Sequence, residues 1–453
     1  MNTKKSYLIL KNRPLVQKKN SFAKRRLVQI MLSPQAFVAL VVFVYLSILI
    51  RTNLKSGIPL VDTKNQIQVI PQKLPALDQK VPTEIEDTTT RELSILFAGD
   101  IMEHQLQLDM AYDAESEKYN FNEQFKYIKD WISSADISVA NLETTLGGKP
   151  YQGYPLFSAP DELATALKYA GFNYIVTASN HAVDRNEKGL LNTIKMLDQN
   201  GISHTGTFAN KEDYLKNHPL YIEKNGFKIG MINYTQSLNG IAVPQNCFVN
   251  MIDTAQMAKD IDICFQNHVD VIVAFMHWGD EYVNQPNEDQ KQIAQFLVSK
   301  GVRIIIGSHP HVIQSMQCVD VTGSGKNNAF VAYSLGNFIA NYPGHIESEG
   351  GTTVKLRLTK KGNGPVEIQN AGYMLVWVYR QLKSGMRNFY VVPALEFDKK
   401  PLQKGHNMLL ASFLESSHSI MNSSNIGVGE YIFDSELKTW SLQYKEGDLI
   451  AGK

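Results

Sequence analysis

Cysteine is scarce in this chain: Cys247, Cys264 and Cys318 are the only three among 453 residues, and no two of them make a CxxC pair. That excludes a disulfide-framed scaffold, although one disulfide remains open in an oxidising compartment. Internal repeats are absent as well, which excludes a solenoid or propeller. No surplus of either charge exists overall, since the formal net charge is only +1. A uniformly basic nucleic-acid binder would not look like this. What is present is the composition of a folded protein, 43% hydrophobic, 10% aromatic and 20% charged. The length calls for one large domain or two modest ones.

The near-zero net charge is an average over two unlike parts. Nine of the 45 Lys and Arg fall in residues 1–26, which contain no Asp or Glu, so the remainder carries 36 basic residues against 44 acidic. The cations stop where the single long apolar run begins. Residues 27–50 carry no charge, and 36–50 are almost wholly apolar. At about 1.5 Å rise per residue such a run crosses a hydrocarbon core of roughly 30 Å. Flanking Lys and Arg place its N-terminal side in the cytoplasm. Nothing in 47–51 offers a clear small-residue cleavage site, so a retained anchor is expected rather than a cleaved signal. The expectation is a cytoplasmic basic tail (1–26), a single-pass transmembrane signal anchor (27–50), and a C-terminal domain outside the cytoplasm at the cell membrane.

Residues 51–91 hold Pro59, Pro71, Pro75 and Pro82 and little periodicity, which reads as a linker. From 92 to 345 short apolar runs alternate with longer amphipathic ones. Strands are expected at 93–98, 137–141, 174–178, 228–234, 271–276, 302–306 and 329–334. Helices are expected at 161–170, 187–200, 254–267 and 287–300, several punctuated by Pro286, Gly171, Gly201 and Gly301. Alternation of this kind argues α/β architecture. Residues 346–453 read as a β-rich extension with one helix near 407–421. It either completes the main sheet or forms an appended module.

Polar groups gather at the ends of the expected strands. In order these are Gly99-Asp100, Asn141-Leu142-Glu143, Ser179-Asn180-His181, His277-Trp278-Gly279, Gly307-Ser308-His309-Pro310-His311 and Tyr333-Ser334-Leu335-Gly336-Asn337. Open α/β sheets bind ligands outside the carboxyl ends of their strands. Each string has a plainer reading alone: a turn at Gly99-Asp100, a helix cap at Asn180-His181, a core pair at His277-Trp278. His309 and His311 are harder to set aside, because residues i and i+2 of an extended segment face the same way. Carboxylate, amide and imidazole together suit a divalent metal, with Mn, Zn and Fe all open.

This order of donors is similar to that of the calcineurin-like metallophosphoesterases. The fuller strings, Asn141-Leu142-Glu143, Asn180-His181-Ala182-Val183-Asp184, His277-Trp278-Gly279-Asp280-Glu281, Gly307-Ser308-His309-Pro310-His311-Val312 and Tyr333-Ser334-Leu335-Gly336-Asn337-Phe338, resemble more closely the CapA-type capsule-synthesis proteins of poly-γ-glutamate biosynthesis. The resemblance implies a layered, metallophosphatase-like α/β sandwich with flanking helices. It also implies that Asp100 and His311 serve one ion, that Asn180, His277 and His309 serve another, and that Glu143 bridges them. His181 would donate a proton to a leaving group, while His104, Asp184, Glu281, Tyr333 and Asn337 line or brace the site. One or two ions are expected. The implied partners are an anionic polymer such as poly-γ-glutamate, the membrane and membrane synthetase subunits, with no nucleic acid.

Three departures stand out. The phosphoesterase pattern expects His where Met102 stands, with His104 the nearest substitute. Glu143 replaces an Asp, and Asn186 sits where Gly is common. Three functions follow: synthesis, export or trimming of the polymer through a hydrolase-like site; hydrolysis of an extracytoplasmic phosphoester; or non-catalytic polymer binding.

Overall fold

Side chains along the central strands divide alternately between two apolar layers, as the two-residue period of a strand requires. Along β1 (Thr90–Ile101), Leu93, Ile95 and Phe97 enter one buried cluster while Leu96 and Ala98 enter another. The computed structural model describes residues 87–444 apart from 324–327 and 384–385. The basic tail, the expected anchor at 27–50 and the linker as far as 86 lie outside the described residues. Among the described residues no helix is long and apolar enough to cross a membrane.

In chain order the longer strands after β1 are β2 (Ile137–Leu142), β3 (Tyr174–Val176), β4 (Ser203–Thr205), β5 (Leu220–Lys224) and β6 (Phe227–Thr235). Next come β7 (Val271–His277), β8 (Ile304–Ser308), β9 (Met316–Val319), β10 (Ala329–Ala332) and β11 (Asn337–Ile339). The last are β12 (Gly350–Lys361), β13 (Glu367–Lys383), β14 (Met386–Pro393), β15 (Gly429–Asp434) and β16 (Thr439–Gln443). A ten-stranded sheet runs β16-β15-β13-β12-β1-β2-β3-β4, with β11 also paired to β1 and β14 to β13. A six-stranded sheet runs β9-β10-β8-β7-β6-β5. Both are mixed: β1 through β4 are parallel, as are β6, β7, β8 and β10, whereas β12, β5 and β9 join antiparallel.

The two sheets face each other across a shared apolar layer in which Phe97 meets Phe275, ring centroids 6.5 Å apart. Outside the larger sheet packs α1 (Glu162–Ala170), burying Leu163, Ala164 and Leu167 against Leu96 and Ile175. Farther along come α2 (Asn186–Gln199), α3 (Thr254–Gln266) and α4 (Glu288–Ser299). Helices α3 and α4 cover the smaller sheet through Met257, Ile261 and Leu297. Local chemistry sets these helices. Asp253 caps α3 by accepting from the Ala255 and Gln256 amides, and Asn287 with Gln290 forms a capping box on α4. The result is a four-layer α/β sandwich.

The extension after residue 346 completes the main sheet: β12 lies antiparallel to β1 from Thr90↔Lys361 to Ala98↔Thr353. The strand therefore starts at Thr90, two residues inside the stretch read as linker. Cys247, Cys264 and Cys318 are all buried free thiols.

Candidate metal centre

The rows that face the shared layer are apolar until they near the ends of their strands. β7 presents Val271, Val273 and Phe275, then His277; β8 presents Ile304 and Ile306, then Ser308; β2 presents Ile137 and Val139, then Asn141; β6 presents Ile229 and Met231, then Asn233. Buried polar groups without water must satisfy one another, so one end of the inter-sheet layer becomes a polar cluster. Asp100 arrives there through an irregularity in β1, whose register shifts on either side of it. Gly99 permits the approach, since a Cβ there would land on the carbonyl of Gly336.

Two overlapping donor groups result. Glu143, His277 and His309 form one, and Asp100, Glu143 and His311 the other, with ligand atoms in each group within 4.8 Å of one another. Glu143 belongs to both, the bridging place the resemblance implied. Its Oε1 lies 3.5 Å from His277 Nε2 and 3.7 Å from His311 Nε2. Asn180 adds an amide oxygen to the first group, Oδ1 being 3.0 Å from His277 Nε2. The second group is held by Asn141 Nδ2, which donates to Asp100 Oδ1 at 2.7 Å. Asn337 Oδ1 lies 3.0 Å from His311 Nδ1 and its amide donates to the His311 carbonyl.

Electrostatics separate the imidazoles. Burial, with His277 and His311 adding to it, lowers His309 to about 2, and burial likewise lowers His277 to about 3. Both rings are neutral and available as ligands. Burial opposes charge on His311 too, but Glu143 and Asp100 outweigh it and raise this ring. Burial and the Asp100 charge push Glu143 well above the ordinary carboxylate range.

His309 and His311 do not converge as alternate residues of an extended segment. Both have left-handed backbone, φ +99° and +56°, beyond the end of β8. Non-glycine residues hold that conformation at a cost of order 1–3 kcal/mol where surrounding structure enforces it. The turn sends the two rings to different donor groups, centroids 6.1 Å apart.

The remaining expected residues take varied places. His181 Nδ1 sits 2.7 Å from Asp184 Oδ2, which also accepts the Phe157 amide, and its ring packs edge-on to Phe157. Asn186 has φ +51°, the left-handed turn an Asn tolerates. Glu281 is exposed, and its charge reaches Glu143, His277 and His311. Tyr333 braces through its carbonyl, which accepts the Trp278 indole N–H at 2.9 Å. His104 belongs to neither donor group: Asn341 N–H donates to its Nδ1, and its ring lies between Phe157 and Tyr342. Met102 is buried with Phe157 and Ala340 and accepts the Tyr342 hydroxyl at Sδ. An aromatic and thioether wall thus occupies the place where a further ligand was expected. Asn141 and Ser308 stand in the donor-bearing strings without an expected role, and Asn233 lies outside them. The signal for each was a polar side chain in the apolar register of a buried strand.

The donor set fits a divalent metal. Both Glu143 oxygens and His309 Nδ1 are buried without a hydrogen-bond partner, a costly state for a carboxylate unless a cation shares the cluster.

Residues 94–342 match the bacterial capsule synthesis protein family PGA_cap. The chain belongs to that family. Capsule biosynthesis protein CapA of Bacillus anthracis is 26% identical over 298 residues, spanning 63% of this chain and 68% of that protein. PGA biosynthesis protein CapA of Bacillus subtilis strain 168 is 27% identical over 307 residues, 64% of this chain and 73% of that one. Among solved structures, Haemophilus influenzae NAD nucleotidase is 16% identical with a TM-score of 0.40, covering 76% of this chain and 64% of the other. The calcineurin-like phosphoesterase YfkN of Bacillus subtilis is 16% identical with a TM-score of 0.39, covering 73% and 98%. Scores so low have no bearing on function. As a PGA_cap protein the chain is capsule-related, and all six expected ligands lie inside the matched span.

Proposed function

We propose that this chain is a membrane-anchored hydrolase-like component of capsule polymer synthesis, export or trimming, acting outside the cytoplasm on an anionic polymer such as poly-γ-glutamate. The observation that carries the metal-dependent part is Glu143, a fully buried carboxylate whose two oxygens lack hydrogen-bond partners and which is shared by two histidine-containing donor groups. Asn180, Glu143, His277 and His309 would hold one ion, and Asp100, Glu143 and His311 the other. A divalent pair held there would supply Lewis acidity and lower the pKa of water, the chemistry that hydrolysis of an amide, ester or phosphoester requires.

The chain's own residues do the rest. Asp184 fixes His181 at Nδ1 and so orients the ring, which leaves Nε2 as the atom able to pass a proton to a departing group. Asn141 and Asn337 hold Asp100 and His311 in place. Phe157 packs against His181 and shields it from water. The His181–Asp184 pair favours a hydrolytic role over passive polymer binding, since a purely binding site has no use for a positioned proton donor. The capsule substrate comes from the two CapA relatives.

Elemental analysis of the purified protein tests the core of this reading. Wild type should carry two equivalents of a transition-series cation and a Glu143→Leu variant far less; wild type free of metal after growth and reconstitution with Mn²⁺ ends it. Deletion of the gene should alter surface polymer. A phosphoester substrate is the competing outcome, scored by turnover of a chromogenic phosphodiester that His309→Ala abolishes.

A further inference from the structure

We propose that Asn233 is a positioning residue that ties the two sheets together beneath the site and so sets the affinity of the ion held by Asn180, His277 and His309. The inference rests on the two-ion reading above. Asn180 follows β3 of the larger sheet, whereas His277 ends β7 of the smaller one. No strand ladder joins these sheets among the described residues, so the 3.0 Å separation between Asn180 Oδ1 and His277 Nε2 needs another determinant.

Asn233 supplies it. It is fully buried in the row of β6 whose earlier members, Ile229 and Met231, are apolar. Its Oδ1 accepts from the Ala178 amide at 2.7 Å, two residues before Asn180. Its Nδ2 donates to the Phe275 carbonyl at 2.9 Å, two residues before His277. One planar side-chain amide therefore links the two backbones that carry the paired ligands. Gly206, at φ +113°, gives it room, because a Cβ there would collide with Asn233 Oδ1. Asn250 in turn donates to the Asn233 carbonyl at 3.0 Å. Asp100 and His311 receive no contact from this amide, so the second ion should not sense it. A residue present only for packing would continue the apolar row; an amide bonded at both ends to main chain sets a distance.

Mn²⁺ titration calorimetry on the purified full-length chain tests this, with circular dichroism as the check of fold. Wild type should take up two ions. Asn233→Ala and the smaller polar Asn233→Ser should each weaken one ion about 10- to 100-fold, the same ion that His309→Ala removes, and leave the other within about threefold. Tyr234→Phe, next to Asn233 on β6, serves as control, since it deletes a buried 2.6 Å hydrogen bond to Asp260 of α3; it should leave both ions unchanged. Unchanged affinities in both Asn233 variants overturn the inference and leave the two-ion reading standing. Equal weakening of both ions, or failure of both variants to fold, makes Asn233 a general structural residue and overturns it too. A wild-type chain that takes up fewer than two ions ends the two-ion reading and the inference with it.

Discussion

Replacing Glu143 with Leu should stabilise the protein in chelator and destabilise it, relative to wild type, in excess metal. Both carboxylate oxygens are buried and unpartnered, the nearest imidazole nitrogens being 3.5 and 3.7 Å away. Each such buried group costs about 1–3 kcal/mol. Leu removes both, and the change of side-chain shape at similar volume costs roughly 1 kcal/mol of repacking. The metal-free variant should therefore gain about 1–5 kcal/mol. Ligand linkage reverses the order, because two ions, each at about 1,000 times its Kd, together stabilise the protein that binds them by about 8 kcal/mol. Differential scanning calorimetry in EDTA and in excess Mn²⁺ reads both signs: the Glu143→Leu variant melts higher in EDTA and lower in Mn²⁺ than wild type. A wild-type Tm indifferent to Mn²⁺, or a variant less stable than wild type in EDTA, refutes the reasoning.

Glu103 offers a pH test away from the ligands. It is fully buried with Oε1 unpartnered, and burial raises it to about 8 against a lowering by Gln124. The folded state thus binds more protons than the unfolded chain between about pH 4.5 and 8, and stability falls as pH rises through that window. Glu103→Gln should remove up to about 5 kcal/mol of that decline; urea midpoints at pH 5 and 8 that change in parallel for both proteins contradict it. Asp184→Asn should cut turnover about 10²-fold or more through loss of the carboxylate on His181, with metal content unchanged, as rates and elemental analysis on one preparation will show. Asn337→Ala removes one of two contacts at His311 Nδ1, where Asp100 Oδ2 stays at 3.3 Å, and the hydrogen bond to the His311 carbonyl. Affinity for the ion on Asp100 and His311 should drop about 10- to 100-fold in competition titrations, and no change would deny Asn337 its bracing role.

The sequence alone determined the things that local pattern encodes. Strand periodicity and helix punctuation marked the α/β alternation, because burial of one face imposes a period of 2.0 or 3.6 on the chain wherever it folds. The six donor-bearing strand ends were equally visible, from Asp100 to Asn337, since each is a short run of adjacent residues. Distances between remote segments were not. That β12 lies against β1, that a left-handed turn sends His309 and His311 to separate groups, and that His104 turns aside into an aromatic wall around Met102 all follow from packing between elements far apart in the chain. Asn233 shows the boundary most clearly. An amide in an apolar row can be read from the sequence, but the two backbones it joins belong to different sheets, and only tertiary structure brings both within hydrogen-bond reach.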